Sequence, residues 1–122
     1  GLSYTTFRYD SLEVKPVIQN GKGDVFVSVN VTNSGLLAGD EVVQLYFKDE
    51  TSSVTVYESQ LRGFERIHLQ SGETQKVRFT LKADDLKLLD KKMNWVLESG
   101  VFEVCIGSSS EDIRVKKKFN ID

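Results

Sequence analysis

Cysteine, histidine and alanine are almost missing from this 122-residue chain, which has one, one and two of them. Cys105 alone permits no internal disulfide, so stability has to come from a packed core. One histidine and one cysteine far apart in sequence cannot supply a four-ligand zinc site, and no metal or other cofactor is expected. No apolar run exceeds three residues, as in Leu45-Tyr46-Phe47, which excludes a membrane-spanning helix. The net charge is -2 with both signs scattered along the chain, so the electrostatic footprint that nucleic acid or an anionic membrane requires is lacking. There is no internal repeat or low-complexity stretch, and the length suits one domain.

What the chain has instead is β-branched residues: fifteen valines, five isoleucines and seven threonines, the kind that suits pleated surfaces. Val25, Val27, Val29 and Val31 alternate with Phe26, Ser28, Asn30 and Thr32 after the Gly21-Lys22-Gly23-Asp24 turn, which predicts a half-buried strand. Before it, Phe7 and Tyr9 share one parity and Leu12 and Val14 the other, so the first strand carries a bulge near Asp10-Ser11 and is closed by Pro16. Val43, Leu45 and Phe47 define a third strand after a loop that begins at Asn33-Ser34-Gly35. Gln60 to Leu69 reads as a strand in which Leu61 and Phe64 differ in parity around Gly63, the mark of a bulge or close backbone approach. Ser71-Gly72-Glu73 then turns into Val77, Phe79 and Leu81, a pattern that reads as a hairpin. Leu86 and Leu89, with Asp84 as a cap, suggest one short helix. Segments at Trp95–Glu98, Val101–Gly107 and Ile113–Ile121 complete about seven strands, which favours a two-sheet β-sandwich over a closed barrel.

Chemistry is sparse. His68 can be grouped on paper with a serine and an aspartate, but nothing places a nucleophile on a strained elbow, and an exposed residue beside a turn is the simpler reading. Asp49-Glu50 and Asp84-Asp85 lack the spacing of a calcium loop. Cys105 reads as a small packed side chain, and Lys116-Lys117-Lys118 as a solvated edge. Tyr46, Tyr57 and Trp95 are the aromatics that could stack on sugar rings if they lie exposed.

Several segments carry a family signature together: Gly1 to Phe7 (Gly-Leu-Ser-Tyr-Thr-Thr-Phe), Val31 to Gly35, Ala38 to Tyr46 (Ala-Gly-Asp-Glu-Val-Val-Gln-Leu-Tyr), Leu61 to Arg66, Leu69 to Glu73, and Trp95 through Phe102. In order and spacing they resemble the fibronectin type III-like C-terminal domain of glycoside hydrolase family 3. The resemblance implies an all-β, immunoglobulin-like sandwich over residues 7–122, with residues 1–6 a link from missing upstream catalytic domains. It implies a parent that is a retaining β-glucosidase or β-xylosidase, periplasmic or secreted, whose two carboxylates lie outside this region. The chain itself is then a non-catalytic accessory domain. A carbohydrate-binding module and an adhesion or spacer domain are the alternatives. Its expected partners are the catalytic domains of the same polypeptide, and Leu2, Tyr4, Phe7, Tyr57 and Glu58 are the expected interdomain contacts, because apolar residues precede the first strand and the polar loop at 50–59 is long for a hairpin.

Overall fold

The computed structural model describes residues 5–19, 22–49, 60–86, 88–89, 95–96 and 100–121. In chain order the strands are β1 (Phe7–Gln19), β2 (Lys22–Asn33), β3 (Gly39–Asp49), β4 (Gln60–Leu69), β5 (Thr74–Lys82), the two-residue β6 (Leu88–Leu89) and β7 (Trp95–Val96), β8 (Gly100–Ser109) and β9 (Asp112–Ile121). Seven of them form two antiparallel sheets, ordered β1-β2-β5 and β4-β3-β8-β9, while β6 pairs with β7. The valines of β2 explain the packing: all four point inward and are buried, while Phe26, Ser28 and Asn30 point outward. They meet Val43, Leu45 and Phe47 of β3 and Phe102, Val104 and Ile106 of β8 across the sandwich. The rings of Phe47, Phe102 and Phe119 stack or tilt together, with centroids 5.2 to 6.3 Å apart.

The bulge in β1 falls where parity requires it. Pairing with β2 shifts between Asp10 and Glu13, Ser11 has φ 56°, and Tyr9 ahead of the bulge and Leu12 and Val14 behind it all face the interior. Other expectations need correction. Pro16 does not end the first strand, which runs on to Gln19; β1 is a sheet edge, where a missing N–H need not cost a ladder bond. The turn at Ser71-Gly72 does not close a hairpin, because β4 pairs with β3 and β5 with β2, so the chain crosses there between the sheets. Asn33 holds that crossing: Gly72 N–H donates to its carbonyl at 2.8 Å, and its own N–H donates to Glu73 O at 2.9 Å. The short helix is a single 3-10 turn, Ala83–Leu86. Phe79, expected in the core, is half-buried and packs against it from the side.

The strand ends fall into two groups. Phe7, Asn33, Gly39, Leu69 and Thr74 lie at one end of the sandwich; the β1–β2 turn, Asp49, Gln60 and Lys82 lie at the other.

Candidate functional site

The end where the chain enters β1 is built around Asn33, which is fully buried. Its Nδ2 donates to Leu37 O at 2.9 Å and to Leu69 O at 3.0 Å, and its Oδ1 accepts from Gly35 N–H at 2.9 Å. A side-chain amide can meet backbone donors and acceptors at once, which is what a loop with no ladder of its own needs. Thr5 Oγ1 also donates to Leu37 O, and Ser34 N–H donates to Thr6 O at 2.8 Å, so the entering segment is tied to the same loop. Held in this way, the loop sends two leucines into solvent, Leu36 at 82% and Leu37 at 57% exposed. Beside it lies a depression of about 590 Å³ lined by Thr5, Thr6, Phe7, Gly39, Asp40, Glu41, Ser108 and Arg114. Its polar wall is organised: Arg114 donates to Asp112 Oδ1 at 2.7 Å and to Phe7 O at 3.0 Å, and lies over the Tyr9 ring, whose hydroxyl donates to Glu41. The bond from Arg114, seconded by Ser108, holds the Asp112 carboxyl below its usual range, while burial first and Glu41 second push the Tyr9 hydroxyl far up.

The outward face of the four-stranded sheet carries a second set of features. At its upper edge Asp40 accepts from Arg66 at 2.7 Å and pairs with His68 Nδ1; the bonds from His68 and Arg66 hold its carboxyl below the ordinary carboxylate range. Lower down, Tyr46 donates to Gln44, and Phe64 and Leu61 stand beside them, 68% and 50% exposed. At the centre of the sheet, Glu103 and Cys105 are buried on this outward face, the thiol donating to Glu103 Oε1 at 3.3 Å. Burial, and then that bond, push the Cys105 thiol up to about 11, so it is an inert packed group.

On the outward face of the three-stranded sheet, two cross-strand rows, Glu13–Ser28–Arg78 and Lys15–Phe26–Thr80, border a dip of about 290 Å³. The short Ser28 side chain leaves room between its longer neighbours, and the Phe26 ring is 45% exposed.

Of the residues expected at an interdomain contact, Phe7 lies at the chain-entry end, half-buried against the sandwich core and lining the depression. Leu2, Tyr4, Tyr57 and Glu58 lie outside the described residues, as do the side chain of Trp95 and all of residues 50–59. The strand ends flanking 50–59, Asp49 and Gln60, are at the end of the sandwich away from Phe7. Tyr46 is only partly exposed. His68 is exposed and partnered by Asp40, and no serine bonds to it among the described residues, so no triad is assembled around it. The same residues hold no cluster of three or more potential metal ligands. Strand periodicity does not single out the leucine pair at 36–37; its signal is two adjacent leucines inside a loop of Asn, Ser, Gly and Asp.

Residues 41–110 match the fibronectin type III-like domain. A β-xylosidase of Formosa agariphila is 44% identical over 91% of this chain and 15% of its own length. The thermostable β-glucosidase B of Acetivibrio thermocellus is 41% identical over all of this chain and 16% of its own. Among solved structures, the β-D-glucoside glucohydrolase of Trichoderma reesei superposes with a TM-score of 0.88 at 31% identity, and a Bifidobacterium adolescentis GH3 β-glucosidase with 0.89 at 30%. Each is covered over less than a fifth of its length, 19% and 18%, while all of the present chain is used.

Proposed function

The chain belongs to the fibronectin type III-like domain as family 3 glycoside hydrolases carry it, and from that premise we propose that it is a non-catalytic accessory domain that braces the catalytic domains of its own polypeptide. The span carries this reading. A sandwich with its own core matches less than a fifth of the length of glycosidase relatives. The two carboxylates that hydrolysis of a glycoside needs then belong to the remainder. The proposed parent is a retaining β-glucosidase or β-xylosidase, exported to the periplasm or beyond the cell. Leu2, Tyr4, Phe7, Tyr57 and Glu58, joined by Leu36 and Leu37, are the proposed interdomain contacts. The test is an assay of the full-length polypeptide and of residues 1–122 alone on aryl β-glucosides and β-xylosides. Turnover by the full-length protein only is expected. Turnover by the domain that survives repurification overturns the reading.

A second reading, direct glycan binding, is favoured by the dip over Ser28. An exposed phenyl ring flanked by a carboxylate and two cations suits a neutral, hydroxyl-rich ring more than an ion of either sign. Affinity electrophoresis in soluble glucans and xylans, with Phe26→Ala as control, decides it: unretarded migration across the panel removes this reading and leaves the first intact.

A further inference from the structure

The bulge in β4 turns a leucine away from the core. Pairing with β3 runs Gln44↔Phe64 and Leu45↔Gly63, then shifts so that Tyr46, not Phe47, stands opposite Leu61. In uninterrupted register Leu61 would have shared a row with Phe47, which is buried. The extra residue, Arg62, moves it to the row of Tyr46 and onto the outward face, where it joins Phe64. The interior closes without it, because a Cβ on Gly63 would lie 3.1 Å from the Phe79 ring, which fills the space. A bulge that re-aims a side chain is a device, and here it sets two large apolar groups, 50% and 68% exposed, side by side on a sheet face.

The rest of that face has a sign. Lys48 and Lys118 flank Glu103 in one cross-strand row, Lys116 stands beside Cys105 in the next, and Arg66 lies above Phe64. These four cations face two carboxylates, Asp40 and Glu103, on a chain whose net charge is -2. The row of outward residues on β3 also begins at Asp40, in the wall of the chain-entry depression, so the face is continuous with the end at which β1 begins.

We propose that this face, centred on Leu61 and Phe64, is where the catalytic part of the same polypeptide docks, and that it receives an apolar patch with an acidic rim. The proposal rests on the bracing role above and adds the surface and the chemistry of its partner. More than four-fifths of each relative's length lies outside the matched region, so an occupant is available in the same chain. An acidic rim on that occupant would complement the lysines, and such complementarity steers and orients docking.

The test uses the full-length polypeptide, with maleimide labelling of Phe64→Cys compared with Lys76→Cys, an exposed position on the other sheet. Because Phe64 is solvent-facing, the cysteine does not disturb the core. Labelling at 64 is expected to be about tenfold slower or more, since it requires the interface to open. Lys48→Glu, Lys116→Glu and Lys118→Glu together should remove most of that difference by speeding labelling at 64. Equal rates at 64 and 76 overturn the proposal. In that case Leu36→Cys separates the two ideas: protection there keeps the bracing role with another surface, and no protection at either site removes both. Protection that depends on protein concentration, or that appears only with added glycan, assigns the face to a second copy or to sugar and also overturns the proposal.

Discussion

Asn33 is the residue on which most of one end of the molecule depends. Its side chain satisfies two carbonyls and one N–H, two of these groups in the loop after β2 and one at the end of β4, in a place closed to water. Asn33→Ala removes all three bonds, Leu37 O keeping only the one from Thr5, and at about 1–3 kcal/mol for each group that stays buried, partly relieved by water reaching the loop, the expected loss is about 2–4 kcal/mol in a urea melt. Asn33→Asp should also destabilise, because a carboxylate cannot donate to Leu37 O or Leu69 O. A loss under about 0.5 kcal/mol for either change would show that the loop is held by other contacts. Cys105 allows a second check. With the thiol at about 11, its thiolate fraction at pH 8 is roughly 100-fold below that of an ordinary cysteine. Labelling of the folded domain by iodoacetamide should therefore be at least that much slower than in urea, rise about tenfold per pH unit up to about pH 10, and depend little on salt. Rapid labelling at pH 7 would place the thiol in solvent.

Among elements, β4 shows how one glycine couples two sheets. Gly63 faces Phe79 across the sandwich, and a branched side chain there must displace the ring. Gly63→Ala sets a favourable loss of backbone freedom in the unfolded chain against a tight contact and should change stability by less than about 1 kcal/mol. Gly63→Val should cost about 1–3 kcal/mol through overpacking, and most of that should vanish in a Phe79→Ala background. An additive double mutant would mean that the two positions do not touch. The same strand marks where sequence reasoning stops. Its limits, Gln60 and Leu69, and the irregularity at Gly63 follow from parity and a missing side chain. Its partner does not. Ser71-Gly72-Glu73 has good turn chemistry, and turn chemistry is local, so it is the same whether the chain folds back or crosses to the other sheet. The crossing is decided by Asn33, thirty-eight residues before Ser71, and no short-range pattern carries that information. Likewise, Leu61 counts as apolar in any pattern, and only the register of β3 against β4 shows that it faces outward.

At the scale of the whole molecule, a single core joins the sheets, with Phe47, Phe102 and Phe119 in contact beneath the valines of β2. The domain should melt in one transition, and Phe47→Ala should lower its stability by about 3–5 kcal/mol. Far-ultraviolet and near-ultraviolet circular dichroism should shift together, and two separated transitions would mean that the sheets fold independently. Fold class was legible from β-branched alternation, because a period of two is a property of the strand itself. The candidate surfaces were not, since they depend on which apolar residues the core declines.

The direction of the outermost strands has a mechanical consequence. β1 and β9 lie side by side, and both run from the end that holds Phe7 toward the end that holds Ile121. A tension between those two points therefore acts along the strands, while the hydrogen bonds of the β1–β2 and β8–β9 ladders run across them. Such ladders are loaded in shear, so many bonds must yield together instead of opening one by one. Pulled between those points, the domain should extend little before it yields, and its failure under force should follow the rate of unfolding, not the equilibrium stability.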